Sequence, residues 1–142
     1  MNERLVRAGI LLAVLSVLSG FAPMVVRNPR MGVAAHVGGL TNALLLLALG
    51  AVWSMVKLPS RRGDLATRLL VWGGYGNWAI TLLASMTGAR EFAPLAGAGY
   101  GASPIVEKAT FVLIAIAGLM SLVGVVMVLA GVAKRTQPSS RD

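Results

Sequence analysis

The side chain best suited to chemistry in this sequence is the imidazole of His36, because the chain has one histidine and no cysteine. A histidine can bind a metal or exchange a proton near neutral pH. It follows a well-marked helix start, in which Asn28 suits the capping position and Pro29 the first helical position. Most residues on the same stripe of that helix have little or no side chain: Gly32, Val33, Gly39, Leu40 and Ala43. The stripe leaves a flat space beside the imidazole, and a planar ligand would fit there.

Two asparagines are predicted to lie at one depth in the membrane. If the outer ends of their helices are Met31 and Thr87, a rise of about 1.5 Å per residue places Asn42 roughly 16 Å deep and Asn77 roughly 15 Å deep. The two amides can therefore meet. His36 lies about 9 Å nearer the outer surface and about 120° around the helix from Asn42. A planar ligand on His36 could present its working face to the amides.

Each polar residue also has a purely structural interpretation, which the sequence leaves open. His36 could be a core histidine bonded to a backbone carbonyl. Asn42 and Asn77 could form an interhelical hydrogen bond. Thr81, one turn after Asn77, could contact a substrate or donate its hydroxyl to the carbonyl of Asn77. Tyr75, in a glycine-rich cluster of the same helix, could bind a ligand or form a local hydrogen bond.

The elements that position these residues are predicted to be membrane-spanning helices. The chain is 56% hydrophobic and 13% charged, which is more apolar than ordinary soluble domains. Four uncharged runs reach roughly the 20 residues that a helix needs to cross a bilayer: 8–26, 31–56, 69–89 and 109–133. We therefore predict one all-α membrane domain over residues 1–142, a four-helix bundle with spans at about 5–26, 29–56, 65–86 and 105–132 and a polar tail at 134–142.

The net charge of +8 follows membrane topology and does not indicate nucleic-acid binding, because the basic residues flank the apolar runs. Nine lysines and arginines lie in the two tails and the middle loop, and four lie in the other two loops. Both termini are therefore predicted to be cytoplasmic. Arg30 then lies on the His36 side of the membrane, where it could pair with the carboxylates of a cofactor or anchor its helix at the interface.

The connection between the third and fourth apolar runs is longer than most loops. Residues 87–106 contain repeated glycine and proline, which favour turns. Connections of about 20 residues are uncommon unless they have a function. We therefore predict an irregular external loop that acts as a lid.

The polar pattern resembles a family of small four-helix membrane isomerases that includes styrene oxide isomerase and hydroxylaminobenzene mutase. The resemblance covers the full chain and its predicted topology. It rests on Ala35-His36, Gly38 and Asn42 in the second helix, on Gly74-Tyr75-Gly76-Asn77 in the third, and on Phe92 and Pro94 in the loop. It implies a homotrimer in a bacterial inner membrane, with the histidine as axial ligand of non-covalent haem b near subunit contacts.

The resemblance also implies roles for the residues of the site. His36 would bind the haem iron, with Gly39, Arg30 and Tyr75 as further cofactor-binding residues, while Asn42, Asn77 and Thr81 would face a small aromatic substrate. The epoxide isomerase has a tyrosine where this chain has Thr81. That departure, together with the helix start at Asn28-Pro29-Arg30-Met31, favours the mutase branch.

Three functions follow as hypotheses. The first is a haem-dependent mutase that rearranges arylhydroxylamines such as hydroxylaminobenzene to 2-aminophenols, with the iron as a Lewis acid. The second is an epoxide isomerase of the styrene oxide to phenylacetaldehyde type that uses the same haem site. The third is a non-catalytic subunit, either a haem-binding protein or a small membrane partner in which His36 is structural.

Overall fold

The computed structural model describes residues 1–133, and these form four α-helices joined by turns and loops. The predicted polar tail at 134–142 lies outside the described residues. Short 3₁₀ turns at Ala22–Met24 and Trp53–Met55 follow the first two helices. The helices are α1 (Glu3–Ser19), α2 (Pro29–Ala51), α3 (Ser60–Thr87) and α4 (Pro104–Ala133). The described residues thus confirm the all-α prediction.

The start of α2 is the one that the sequence predicts. Pro29 is the first helical residue, and the side chain of Asn28 accepts a hydrogen bond from the amide of Met31 at 3.1 Å. A side-chain oxygen at this position replaces a carbonyl partner that the first turn lacks. The start of α2 sets the rotation of every later residue in the helix, and that includes His36.

The helix ends differ from the predicted spans. α1 ends at Ser19 and is followed by a 3₁₀ turn, whereas the predicted span extends to residue 26. Gly20 and Pro23 lie at this change, and both residues disfavour a continuing helix. α3 begins at Ser60, five residues before the predicted start at 65. The charged side chains of its first turns are exposed, so they remain hydrated when this segment is helical.

The helices pack in chain order, α1 on α2, α2 on α3 and α3 on α4, with only slight contact between α1 and α3. One apolar cluster lies towards the end of the bundle at which the chain begins. Its buried members are Leu5, Leu12, Ala43, Leu46, Ala66, Leu70 and Val128. A smaller cluster of Met31, Ala84 and Ala89 packs at the opposite end. Five of the polar residues singled out by the sequence lie between the two clusters along α2 and α3: His36, Asn42, Tyr75, Asn77 and Thr81.

Three helical segments among the described residues are long and apolar enough to cross a membrane. They are Glu3–Met24, which is α1 with the 3₁₀ turn that follows it, Pro29–Ala51, which is α2, and Pro104–Val132 within α4. α3 has 28 residues, but it is less apolar because its first turns carry Arg61, Arg62, Asp64 and Arg68. It packs between α2 and α4 within the same bundle. The fold is therefore a helical membrane bundle, and the crossing of the membrane by α3 itself stays a prediction.

Candidate active site

His36 is held by the end of a neighbouring helix. Its Nδ1 lies 2.6 Å from the carbonyl oxygen of Ser16 in α1. That carbonyl is available because the helix ends here: the amide of Gly20, which would donate to Ser16 in a continuing helix, donates to Val17 at 3.0 Å. A carbonyl can only accept, so Nδ1 carries a proton, and in a neutral ring the lone pair then lies on Nε2.

The Nε2 atom of His36 is not fully buried in the described chain. It has no hydrogen-bond partner within residues 1–133, and no buried side-chain nitrogen or oxygen in this part of the chain lacks one. The residue as a whole is half-buried. A neutral imidazole that donates from one nitrogen to a carbonyl presents the other nitrogen as a metal ligand. In that tautomer the unbonded Nε2 is the ring nitrogen that could bind a ligand, and metal binding by His36 stays a prediction.

The Ser16 carbonyl has a second donor. The hydroxyl of Ser19 donates to it at 2.8 Å, and the indole Nε1–H of Trp78 donates to the Ser19 hydroxyl oxygen at 3.2 Å. Both serines are buried. The chain of bonds joins α1, α2 and α3 around the imidazole. Sequence reasoning missed these three residues, although two serines spaced by three in an apolar span were a visible signal.

Two glycines allow this close approach of three helices. A side chain at Gly39 would collide with the Ser16 side chain and with the indole of Trp78. A Cβ at Gly20 would lie 3.0 Å from Nδ1 of His36, closer than nearly all Cβ contacts. Gly39 is buried and packs against α1 and α3. Its predicted role beside a cofactor stays a prediction.

The two asparagines meet as the helix rise predicts. Nδ2 of Asn42 donates to Oδ1 of Asn77 at 3.3 Å and to the carbonyl of Gly38 at 3.0 Å. Both amides are half-buried. In residues 1–133 no partner bonds to Oδ1 of Asn42 or to Nδ2 of Asn77, so one acceptor and one donor of the pair remain without a partner there. The pair joins two helices and keeps groups that could bind a substrate.

Thr81 and Tyr75 are engaged in other contacts. Thr81 is 8% exposed, and its hydroxyl donates to the Asn77 carbonyl at 2.8 Å, the structural alternative that the sequence left open. The Tyr75 hydroxyl donates to the carbonyl of Ala8 at 2.9 Å. Ala8 precedes Ser16 by eight residues, or about 12 Å along α1. Within residues 1–133 no hydrogen bond joins either side chain to the imidazole, and their predicted roles at the site stay predictions.

Arg30 binds the external loop. Its guanidinium donates to the carbonyl of Ala98 and lies 5.8 Å from the centre of the Tyr100 ring. A cation over an aromatic face is stabilised by the electrons of the ring. Arg30 therefore holds the loop against the start of α2. Its predicted pairing with a cofactor carboxylate stays a prediction.

A carboxylate that the sequence analysis did not single out ties down both ends of that loop. Glu107, in the first turn of α4, is 9% exposed. Its Oε2 accepts the amides of Arg90 and Glu91 at 2.8 and 3.0 Å, and its Oε1 accepts the amide of Ala102 at 2.9 Å. The connection from α3 to α4 consists of turns and irregular backbone, as predicted. Its function as a lid stays a prediction.

The similarity of this chain to known proteins covers all the residues of the site described above. The chain matches the styrene oxide isomerase family over residues 1–133. It is 33% identical over 131 residues to hydroxylaminobenzene mutase HabA of Ectopseudomonas oleovorans, a match that covers 91% of this chain and 97% of that protein. It is 38% identical over 99 residues to hydroxylaminobenzene mutase HabB of the same organism, with 69% of this chain and 60% of HabB covered, so this match spans less than two thirds of HabB.

No solved structure matches the chain. The family match contains both polar groups described above, the histidine network and the amide pair. The predicted resemblance is thereby confirmed. The chain belongs to the styrene oxide isomerase family, and its activity is that of an isomerase or mutase.

Proposed function

We propose that this protein is a haem b-dependent membrane mutase that rearranges arylhydroxylamines, such as hydroxylaminobenzene, to 2-aminophenols. The observation that carries the haem site is the state of His36, which donates from Nδ1 to Ser16 and leaves Nε2 open. Within residues 1–133 no group of three or more His, Cys, Asp or Glu residues could hold a bare metal ion. A porphyrin brings four nitrogen ligands of its own and needs a single protein ligand. The donor set therefore fits haem.

The substrate class is supported by the relatives and by one residue. HabA, named a hydroxylaminobenzene mutase, is similar to this chain over 97% of its own length. The epoxide isomerase branch has a tyrosine at the position of Thr81, and here the threonine hydroxyl is bonded to the Asn77 carbonyl. A phenol that could orient an epoxide oxygen is therefore missing from this position. Both points favour the arylhydroxylamine.

The reaction moves oxygen from nitrogen to the neighbouring ring carbon. The N–O bond breaks, a C–O bond forms, and the ring proton is transferred to nitrogen, so atoms balance and no net oxidation occurs. When bound, the haem iron would supply a Lewis acid that polarises the N–O group.

The side chains of the protein would hold and orient the reactants. Nε2 of His36 would hold the iron, with the ring fixed by Ser16. The free amide nitrogen of Asn77 would donate to the substrate oxygen, and the free amide oxygen of Asn42 would accept the N–H of the hydroxylamine. The apolar helices would keep bulk water away from the reacting ring.

We further propose a homotrimer in a bacterial inner membrane, with both termini in the cytoplasm. Support for an assembly comes from the surroundings of His36. Its unbonded Nε2 is not fully buried in the described chain, and the flanking Val33 and Val37 are 50% and 53% exposed. A bare imidazole nitrogen at membrane depth costs free energy unless another group covers it. A cofactor between subunits would provide that cover, and lipid would contact the remaining apolar faces.

A second candidate is an epoxide isomerase that uses the same haem site. The observation that favours it is the family match itself, because the family is described as styrene oxide isomerase and the match covers residues 1–133. The two candidates share the roles of His36, Asn42 and Asn77 and differ only in the substrate.

One experiment tests the cofactor and the substrate together. The protein is expressed with ample haem, purified in detergent through a histidine-free tag, and compared with His36→Ala. We expect a Soret band and conversion of phenylhydroxylamine to 2-aminophenol in the wild type, and neither in the variant. Styrene oxide is assayed in the same preparation, and sole conversion to phenylacetaldehyde would select the second candidate. Colourless wild-type protein, or stoichiometric haem in His36→Ala, would contradict the proposed haem site.

A further inference from the structure

One backbone oxygen near the site receives two side-chain donors. The Ser16 carbonyl accepts Nδ1–H of His36 at 2.6 Å and the hydroxyl of Ser19 at 2.8 Å. The oxygen of that hydroxyl in turn accepts the indole N–H of Trp78 at 3.2 Å. Three helices thus supply an ordered series of bonds that runs from Trp78 through Ser19 to the carbonyl, and the imidazole shares this carbonyl.

Two donors on one carbonyl compete for its electron density. The Ser19 hydroxyl draws charge from the oxygen, so the bond from Nδ1–H of His36 is weaker than it would be to the same carbonyl alone. The indole N–H acts in the same direction, because a hydroxyl that accepts a hydrogen bond becomes a stronger donor. A weaker bond at Nδ1 leaves less charge in the ring, and Nε2 then donates less to a bound metal.

We infer that Ser19 and Trp78 are positioning residues that limit how strongly His36 donates through Nε2. The inference rests on the proposed haem site, and it deepens that proposal because a Lewis acid works better when its axial ligand donates less. Ser19 and Trp78 themselves contact neither iron nor substrate. They act through the Ser16 carbonyl.

The local structure is built to keep this network together. Ser19 also bonds to a carbonyl three residues earlier, which serines in helices often do. What is specific is that the same carbonyl holds the histidine and that the same hydroxyl receives the indole N–H. Gly39 makes room for both Ser16 and Trp78. The three groups therefore meet because the helices approach closely, and the contact is not a local feature of α1 alone.

The chain offers a matched control for each variant. Ser85 is buried, and its hydroxyl donates to the carbonyl of Leu82 at 2.6 Å with the same spacing as Ser19 to Ser16. Trp72 is 67% exposed. Ser19→Ala is therefore paired with Ser85→Ala, and Trp78→Phe with Trp72→Phe. Ser19→Thr keeps the hydroxyl and serves as the rescue variant.

The first measurement needs no cofactor. Because the chain has one histidine, ¹⁵N-histidine labelling of protein with a histidine-free tag gives one pair of ring nitrogen signals. We expect the wild type to carry its proton on Nδ1. In Ser19→Ala the Nδ1–H proton signal should move downfield as its bond to Ser16 strengthens. Trp78→Phe should give a smaller shift of the same sign, while Ser19→Thr and both controls should match the wild type.

The second measurement uses the haem-loaded protein. A more strongly donating histidine stabilises ferric over ferrous iron, so Ser19→Ala should lower the reduction potential, and Trp78→Phe should lower it less. Unchanged or raised potentials in both variants, with haem bound, would overturn the inference and leave the haem site standing. Wild-type protein that binds no haem would overturn the haem site, and the proton signal of His36 would still decide the role of Ser19 and Trp78. A wild-type proton on Nε2, or equal shifts in the controls, would overturn the inference.

Discussion

The two polar regions of this bundle are held in different ways. The imidazole of His36 is bonded to a backbone carbonyl that becomes free because α1 ends, and its reactive nitrogen has no bond. Asn42 and Asn77 are bonded to each other, side chain to side chain, across α2 and α3. The first region therefore depends on where a helix stops and how three helices approach. The second depends on two residues at one depth. Changes in packing should affect the histidine, and changes in side-chain chemistry should affect the amides.

The strongest test of this difference is removal of the amides. Asn42→Ala and Asn77→Ala should each keep haem, because within residues 1–133 neither amide is hydrogen-bonded to the histidine network. Each should lower turnover by about 10²-fold if the amides stabilise charge on the substrate. Turnover and haem content are measured on the same preparation. Thr41→Ala is the control, since Thr41 is exposed and its hydroxyl has the carbonyl of Val37 as its one hydrogen-bond partner in residues 1–133. Full activity in both asparagine variants would leave the pair a purely structural hydrogen bond.

The neighbouring glycines Gly38 and Gly39 face different polar regions, and side chains pack against them at different distances. A Cβ at Gly39 would collide with Ser16 and Trp78, whereas a Cβ at Gly38 would lie 3.6 Å from Oδ1 of Asn77, an ordinary contact. Gly39→Ala should therefore lower the free energy of unfolding by about 1–3 kcal/mol, the usual cost of overpacking. Gly38→Ala should change it little. Thermal denaturation in detergent measures both, and equal stability of Gly39→Ala and the wild type would contradict the close contact.

The smallest effect is expected at Thr81, which the sequence associated with the substrate. Its hydroxyl donates to the Asn77 carbonyl, and the residue is 8% exposed. Thr81→Val keeps the shape and loses one hydrogen bond, so it should cost about 1 kcal/mol or less of stability and leave activity nearly unchanged.

Thr81→Tyr is the contrasting variant. It should depress both hydroxylamine and epoxide conversion together with thermal stability, because the space is already filled. A selective gain of epoxide isomerisation in Thr81→Tyr, with haem retained, would instead restore Thr81 as the residue that selects the substrate.

Local patterns were sufficient for much of the fold. The cap at Asn28, the first helical position of Pro29 and the common depth of Asn42 and Asn77 follow from residue preferences and a constant rise per residue, which act within one helix. The ends of the α-helices were harder to predict. Hydrophobic composition does not register the change from α-helix to a 3₁₀ turn at Gly20, because an apolar run continues through it.

The partners of the site residues were decided by tertiary structure. Ser16 lies 20 residues before His36, and its carbonyl is a backbone group that no pattern of side chains marks. Tyr75 bonds to Ala8 and Arg30 bonds to the external loop, contacts that the sequence did not predict, and their places beside a cofactor stay predictions.

The physical reason is a difference between local and relative geometry. The helical repeat determines the face of its own helix on which a residue lies. The rotation and close approach of neighbouring helices decide which groups that face meets. The sequence alone thus determined a helical membrane protein with one candidate ligand histidine and two facing amides. Only the packed helices decided that the histidine is held through Nδ1 and keeps Nε2 open.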